Sequence, residues 1–132
     1  MSNIKVTAYL SHAIRGGKAD PTIKEMRLNN AKAIIMADKL REAFPFLDIY
    51  VPAENQDYDL VTWSEKYLTT EQILEIDFKI LEQKDILLVY NWCDSSGVEA
   101  ERDHAEKCEI PEIVFITFSD ACEKISEFFG LN

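Results

Sequence analysis

The order of apolar segments along the chain predicts an α/β fold in which helices cover both faces of a parallel sheet. Short apolar runs alternate with longer segments whose apolar residues recur at helical spacing. The run Ile86–Tyr90 is continuously apolar, which is typical of a strand buried on both sides. A length of 132 residues suits one domain. We predict a single doubly wound domain over residues 1–132, of Rossmann or flavodoxin type, with four to five strands.

The first half of the chain predicts two strands and the longest helix. A strand over residues 4–10 leads into a polar loop over residues 11–20, and a helix over 21–44 ends before Pro45. A short second strand over 47–51 stops at Pro52. Residues 53–68 are polar and aromatic without a clear period, so we predict a long loop that has room for one helical turn.

The second half predicts two strand–helix pairs and the helix that leads into them. Thr69 and Gln72 have the spacing of a capping box, and the helix that they open runs to about residue 83. A strand over 86–90, a loop over 91–97 and a helix to about Cys108 follow. The chain then gives a strand over 112–118 and an amphipathic helix over 120–129.

Composition and charge exclude several classes of protein. A formal charge of −10 disfavours binding to nucleic-acid polymers and to anionic membranes. No apolar run is long enough to cross a bilayer, and no secretory leader is expected at the start of the chain. The cysteines, Cys93, Cys108 and Cys122, form no Cys-x-x-Cys pair, and we expect no histidine at ligand spacing. The prediction is a cytoplasmic protein with reduced thiols, no metal and no cofactor.

Glycine placement indicates an anion site at one edge of the predicted sheet. Ligands of such sheets bind beyond the carboxyl ends of the strands, and Gly16, Gly17 and Gly97 lie in the loops after the first and third strands. Glycine allows a close approach of the backbone, and a following helix N-terminus attracts negative charge. Arg15 and Lys18 add positive side chains. The alternative is that these glycines only turn the chain.

Two serines at the start of the helix after Gly97 extend this hypothesis. Ser95 and Ser96 have hydroxyls that can donate to an anion. The alternative interpretation makes Ser96 the N-cap of the helix, with Glu99 completing a capping box.

Two carboxylates fall on the apolar faces of their helices. Helical spacing places Glu101 in an inward stripe, and it places Asp77 inside the apolar arc of the preceding helix. The other members of the stripe are Val98, Ala105 and Cys108, and those of the arc are Ile73, Ile76, Ile80 and Leu81. Buried carboxylates are usually paired, bound to a ligand or shifted in pKa. The alternative is an acid at the margin of its stripe that reaches water.

The motif Tyr-Leu-Ser-His-Ala-Ile-Arg-Gly-Gly-Lys-Ala-Asp at positions 9–20 resembles the opening strand and loop of the 2′-deoxynucleoside 5′-monophosphate N-glycosidases. These enzymes are a branch of the nucleoside 2-deoxyribosyltransferase superfamily. The block from Asp77 through Asp85, Ser95 and Gly97-Val98 to Glu101 is also similar, without a gap. The resemblance covers roughly residues 4–20 and 72–117.

The resemblance implies a glycosidase with Glu101 as nucleophile. Asp77 would orient the sugar and support proton transfer, and Tyr9 would lie against the glutamate or the sugar. The resemblance implies a small-molecule nucleotide or nucleoside as ligand, and a homodimer. The implied substrate-binding positions are Ser11, His12, Ile14, Arg15, Gly16, Gly17, Asp94, Ser95 and Gly97.

Two positions depart from the family pattern. Asp103 stands where the family usually has glycine, and His12 stands where it usually has a small residue. His12 and His104 are candidate general acids, although we expect each to be a surface or loop residue. Aromatic residues that could stack on a base, or instead cover the edge of the core, are Tyr58, Trp63 and Trp92.

Three alternatives to hydrolysis stay open at this point. One is base exchange by a nucleoside 2-deoxyribosyltransferase, in which a second base replaces water. Another is a non-catalytic module that binds or sequesters a nucleotide. The last is a protein-interaction scaffold, which leaves the glycines and the inward acids unexplained.

Overall fold

A parallel sheet forms the centre of the fold. The computed structural model describes residues 5–55, 61, 65 and 68–131, and within them the sheet has four strands. The strands are β1 (Val6–Ser11), β2 (Leu47–Tyr50), β3 (Ile86–Tyr90) and β4 (Glu112–Phe115). Their order in the sheet is β2-β1-β3-β4. This architecture confirms the predicted α/β class with a parallel sheet of the Rossmann or flavodoxin type.

Four helices pack in two layers against this sheet. They are α1 (Ile23–Ala43), α2 (Thr70–Leu81), α3 (Ser96–Lys107) and α4 (Phe118–Phe128), and a 3-10 helix covers Pro52–Asn55. Buried residues of α1 and α4 share one core cluster with Ala8, Leu10 and Leu88. Residues of α2 and α3 share the other cluster with Tyr9 and Leu87. Since neighbouring strand residues point to opposite faces, the two clusters lie on opposite sides of the sheet.

Capping residues fix where the helices begin. The predicted capping box of α2 is confirmed, because Thr69 and Gln72 exchange side-chain to backbone hydrogen bonds of 2.8 and 3.1 Å. A second box, between Thr22 and Glu25, opens α1 and was not predicted. The alternative that Ser96 caps α3 is wrong: Ser95 is the N-cap, and its Oγ accepts from the backbone N–H of Val98 at 3.3 Å.

The remaining differences from prediction concern element ends and helix faces. β4 stops at Phe115 rather than at residue 118, because Thr117 takes the N-cap position of α4. Cys108 is exposed rather than inward, since α3 ends at Lys107 and Cys108 occupies its C-cap. Ile76 is also exposed, whereas Leu81 of the same helix is fully buried. Most of the predicted loop over 53–68 lies outside the described residues.

The strand order creates a crevice between β1 and β3. From β1 the chain passes through α1 to β2 on one side, and from β3 it passes through α3 to β4 on the other. The loops after β1 and β3 therefore diverge at this position, where doubly wound sheets bind ligands. Among the described residues, no helix is long and apolar enough to traverse a bilayer.

Candidate functional site

A cavity of about 700 Å³ opens at the carboxyl ends of β1 and β3. This volume is within the roughly 300–1,000 Å³ of small-molecule sites. The predicted site residues that line it are His12, Ile14, Arg15, Gly17, Asp77, Asp94, Ser95, Gly97 and Glu101. Sequence analysis missed further lining residues, Met26 and Asn30 of α1 and Ile73 and Leu74 of α2. The structure thus collects both predicted acids and both predicted loops around one space.

Glu101 is the buried carboxylate of this cavity. The residue is 6% exposed, and the Ser11 hydroxyl donates a hydrogen bond of 2.6 Å to its Oε1. Burial raises the pKa of Glu101 to about 7, while the Ser11 hydroxyl and the nearby Tyr9 hydroxyl act in the opposite direction. The group therefore ionises near neutral pH, where it can take up or release a proton.

Tyr9 lies behind Glu101 and does not line the cavity. Its side chain is fully buried and its ring packs 5.5 Å from that of Tyr50. The Tyr9 hydroxyl is near the Glu101 carboxylate, although the geometry is not that of a well-formed hydrogen bond. Burial, followed by the charges of Glu101 and Asp77, raises the pKa of Tyr9 well above its ordinary value. The phenol is therefore protonated and available as a donor to the carboxylate.

Asp77 approaches the cavity from α2. Its side chain is half-buried and lines the same space as Glu101. Both carboxylates act electrostatically on the Tyr9 hydroxyl, which places the two acids on the same side of the sheet. The prediction that two helices direct their acids into one cavity is confirmed.

His12 is a loop residue, as one of our alternatives had it, but it is not on the surface. It follows β1 directly, is 6% exposed and lines the cavity. Neither ring nitrogen has a hydrogen-bond partner in the part of the chain that the structure describes. Burial lowers the pKa of His12 to about 4, so the imidazole is neutral at physiological pH. A neutral imidazole offers one donor and one acceptor to a ligand.

The loop after β1 depends on two glycines. Gly16 and Gly17 have φ angles of +64° and +80°, which disfavour other residues. A Cβ at Gly16 would lie 2.8 Å from the Asn29 amide nitrogen, which donates to the Ile14 carbonyl at 2.9 Å and so fixes the loop. A Cβ at Gly17 would lie 2.9 Å from the Asp94 carbonyl oxygen. The backbone of this loop therefore packs directly against the backbone of the loop after β3.

Arg15 and Lys18 are the basic side chains of the loop after β1. Both line the cavity, as the anion hypothesis requires. The Lys18 ammonium, however, forms an ion pair with Glu25 in the first turn of α1, and this contact is the main reason that the pKa of Glu25 falls to about 2. Part of the positive charge expected from Lys18 is thus neutralised by the protein itself.

The N-terminus of α3 supplies a second set of donors. Ser95, Ser96 and Gly97 all line the cavity, together with the exposed Asp94. The Ser95 oxygen accepts the cap hydrogen bond, which leaves the hydroxyl hydrogen for donation to a ligand. The positive end of the helix dipole points the same way. This edge of the cavity suits an anionic group, such as a phosphate.

The remaining predicted aromatic and family positions lie elsewhere. Trp92 supports the loop rather than the cavity: a Cβ at Gly16 would lie 3.5 Å from its ring, and the Lys32 ammonium covers that ring at 3.9 Å. Asp103 is exposed and does not line the cavity. Tyr58 and Trp63 lie outside the described residues.

His104 is half-buried on α3 and lies outside the cavity. Its ring stacks on Phe78, with centroids 4.3 Å apart and planes at 5°. Its Nε2 is 3.6 Å from the Cys108 sulfur. The expectation that no histidine stands at ligand spacing from a cysteine is therefore wrong, because a separation of four residues places both side chains on one helix face.

The fold and the cavity together define a doubly wound α/β protein with a cavity of small-molecule size at its topological switch point. Comparisons of the chain with protein-family models, with curated proteins and with solved structures find no match in any of the three. The geometry of the site is therefore the basis for a functional proposal.

Proposed function

We propose that this protein is an N-glycosidase that hydrolyses the bond between base and sugar in a (deoxy)nucleoside 5′-monophosphate. One observation carries the proposal: Glu101, buried and held by Ser11, shares a cavity with Asp77 and with a glycine loop facing a helix N-terminus. Glycosyl-bond cleavage through an oxocarbenium-like transition state uses two carboxyl groups. The glycine loop and the helix N-terminus suit the phosphate of the same substrate.

In the proposed reaction an ionised oxygen of Glu101 attacks the anomeric carbon. The bond to the base nitrogen breaks, the base leaves with the electron pair, and Asp77 or a water molecule supplies its proton. Water then attacks the same carbon and gives one proton to the group that protonated the base. The bond from the carbon to Glu101 breaks, and the sugar phosphate leaves with the Glu101 carboxylate restored. Ser11 contributes by orienting the carboxylate through Oε1.

A site for the substrate's phosphate group favours hydrolysis of nucleotides over base exchange on unphosphorylated nucleosides. Arg15, Gly17 and the α3 N-terminus line the cavity and would hold this group, whereas the predicted site residue Gly16 does not line it. An unphosphorylated nucleoside would leave these donors unused. The homodimer that the resemblance implies belongs to the same proposal. Leu28 and Ile35, 62% and 58% exposed and two turns apart on α1, offer apolar surface for a second copy.

The test is a panel of ribo- and deoxyribonucleoside 5′-monophosphates and the matching nucleosides, with free base measured by chromatography. We expect base release from monophosphates, and a loss of at least about a thousandfold in kcat for Glu101→Gln with nucleotide binding retained. Glu106→Gln, an exposed residue of the same helix, is the matched control and should retain activity.

Each alternative predicts a different result in this panel. Base exchange between unphosphorylated nucleosides would show that the protein is a transferase and not a hydrolase. Tight binding of a nucleotide that stays intact for hours would indicate a sequestering module instead of an enzyme. The buried His12, which lines the cavity, is the observation that favours this alternative.

A further inference from the structure

A cluster of three potential metal ligands lies at the C-terminal ends of α2 and α3. Glu82 is the C-cap residue of α2, His104 is in the last turn of α3, and Cys108 is the C-cap residue of α3. One ligand atom from each side chain lies within 4.8 Å of the other two. The catalytic proposal uses none of these residues, and the cluster is at the opposite end of α3 from the Ser95 cap.

Two of the three ligand–ligand distances in this cluster match those of a tetrahedral metal site. The His104 Nε2 is 3.6 Å from the Cys108 sulfur and 3.6 Å from the Glu82 Oε2. Bonds of about 2.3 Å to sulfur and about 2.0–2.1 Å to nitrogen and oxygen, at tetrahedral angles, separate the ligand atoms by about 3.4–3.6 Å. The third pair, Glu82 and Cys108, has ligand atoms within 4.8 Å, and rotation of these two exposed side chains would close the site around one ion.

The contacts of the three groups converge on one point. Glu82 and Cys108 both approach the same imidazole nitrogen at 3.6 Å, which is too long for a hydrogen bond to the carboxylate. A cation in the centre can bind all three groups. Stacking on Phe78 fixes the plane of the His104 ring and so lowers the entropic cost of binding.

We propose that Glu82, His104 and Cys108 form a zinc site that joins α2 to α3. A thiolate, an imidazole and a carboxylate together suit Zn²⁺ and disfavour Mg²⁺ and Ca²⁺, which prefer ligand sets made of oxygen alone. Glu82 is half-exposed and Cys108 is exposed, so water can take the fourth position. The ion connects the two helices that carry Asp77 and Glu101, and it stabilises the folded state because the unfolded chain does not hold the ligands together.

The experiment uses the purified chain under reducing conditions, with Co²⁺ as a spectroscopic probe and Zn²⁺ as its competitor. We expect one Co²⁺ per chain, a thiolate-to-cobalt charge-transfer band, tetrahedral d–d bands, and displacement of cobalt by zinc. Zinc should also raise the melting temperature. Cys108→Ser should abolish the charge-transfer band, and His104→Gln should weaken zinc binding by at least about tenfold.

Cys122→Ser is the matched control, since Cys122 is also an unpaired thiol but lies on α4. It should keep the band and the zinc affinity, and circular dichroism of each variant verifies the fold. Absence of a thiolate band in the native protein would overturn the proposal, as would a band that persists in Cys108→Ser. Because the readouts are spectra and melting temperature, the result is independent of base release and of the proposed glycosidase activity.

Discussion

The two faces of the sheet are built from the same strands but contain different chemistry. On the face covered by α1 and α4, Ala8 and Leu10 of β1 pack into a continuous apolar cluster. On the face covered by α2 and α3, the alternate residues Tyr9 and Ser11 adjoin Glu101, and the apolar cluster is smaller. One strand therefore contributes to the main core with one side and to the cavity with the other.

The two faces therefore have different roles: one contributes mainly to folding stability, and the other contains the candidate site. The α1/α4 face buries the larger of the two apolar clusters, and such burial is the main favourable term in folding. The α2/α3 face retains a carboxylate and an imidazole that burial makes costly to ionise. We infer that the folding free energy gained by apolar burial on the α1/α4 face offsets the free-energy cost of burying polar groups on the α2/α3 face.

Substitution of two neighbouring leucines of β3 tests the comparison of the two faces and has the largest expected effect on stability. Leu88 and Leu87 are both fully buried but point to opposite faces. Each Leu→Ala change should cost about 2–5 kcal/mol, with Leu88→Ala at the upper end because Leu88 belongs to the larger apolar cluster. Urea unfolding measures both. A larger loss for Leu87→Ala would contradict the assignment of the main core to the α1/α4 face.

Glu101→Gln should stabilise the protein in a pH-dependent way. The folded-state pKa of Glu101, about 7, is above the ordinary value of 4.5, so the folded state binds the extra proton and stability falls as pH rises from 4.5 to 7. Removing the charge should add up to about 3 kcal/mol above pH 7 and almost nothing below pH 4.5. Urea unfolding at pH 8 and pH 4.5 measures this. As the control, Glu106→Gln changes an exposed residue and should have little effect on stability at either pH. An equal effect of Glu101→Gln at both pH values would contradict a raised pKa of Glu101 in the folded state.

His12→Gln should have the opposite pH dependence. The folded-state pKa of about 4 is below the ordinary 6.5, so the unfolded state binds the extra proton and the native protein loses stability as pH falls from 6.5 to 4. The variant should avoid that loss of up to about 3 kcal/mol. In the native protein this loss and the gain at Glu101 nearly cancel between pH 4.5 and 6.5. The stability of His12→Gln should therefore rise as pH falls over this range, and a variant whose stability follows that of the native protein at every pH would show that His12 is not buried in its neutral form.

Gly17→Ala tests the contact between the two loops and has the smallest expected effect. The substitution combines a positive φ with a Cβ only 2.9 Å from the Asp94 carbonyl, and it should cost about 1–2 kcal/mol. Gly130→Ala is the control, because its φ of +67° carries similar strain but no atom lies within 4 Å of the added Cβ. Thermal unfolding should rank Gly17→Ala as the more damaging change. Equal losses would show that backbone strain alone accounts for the effect.

Sequence periodicity predicted the α/β class, most element positions and the inward placement of Glu101. The capping signal at Thr69 was sufficient to predict the start of α2, and the apolar run at Ile86–Tyr90 was sufficient to predict β3, because caps and buried strands depend on neighbouring residues. Helix faces were less predictable: spacing placed Ile76 and Cys108 inward, whereas the start, end and tilt of each helix leave both exposed.

The burial of His12 and the cluster of Glu82, His104 and Cys108 were not predicted. His12 is buried because the loop after β1 folds against α1 and the loop after β3, a contact between segments far apart in the chain. Glu82 reaches His104 only because α2 and α3 pack side by side. A spacing of four residues between His104 and Cys108 was visible in the sequence and was the signal that could have indicated the cluster.

The sequence by itself determined which segments become strands and helices, and which residues at the strand ends carry polar chemistry, because these depend on local pattern and on the alternation of side chains. Tertiary structure alone decided the electrostatics of the site. A pKa responds to desolvation and to neighbouring groups, so the shifts of Glu101 and His12 exist only after α3 and the loop after β1 have packed around them.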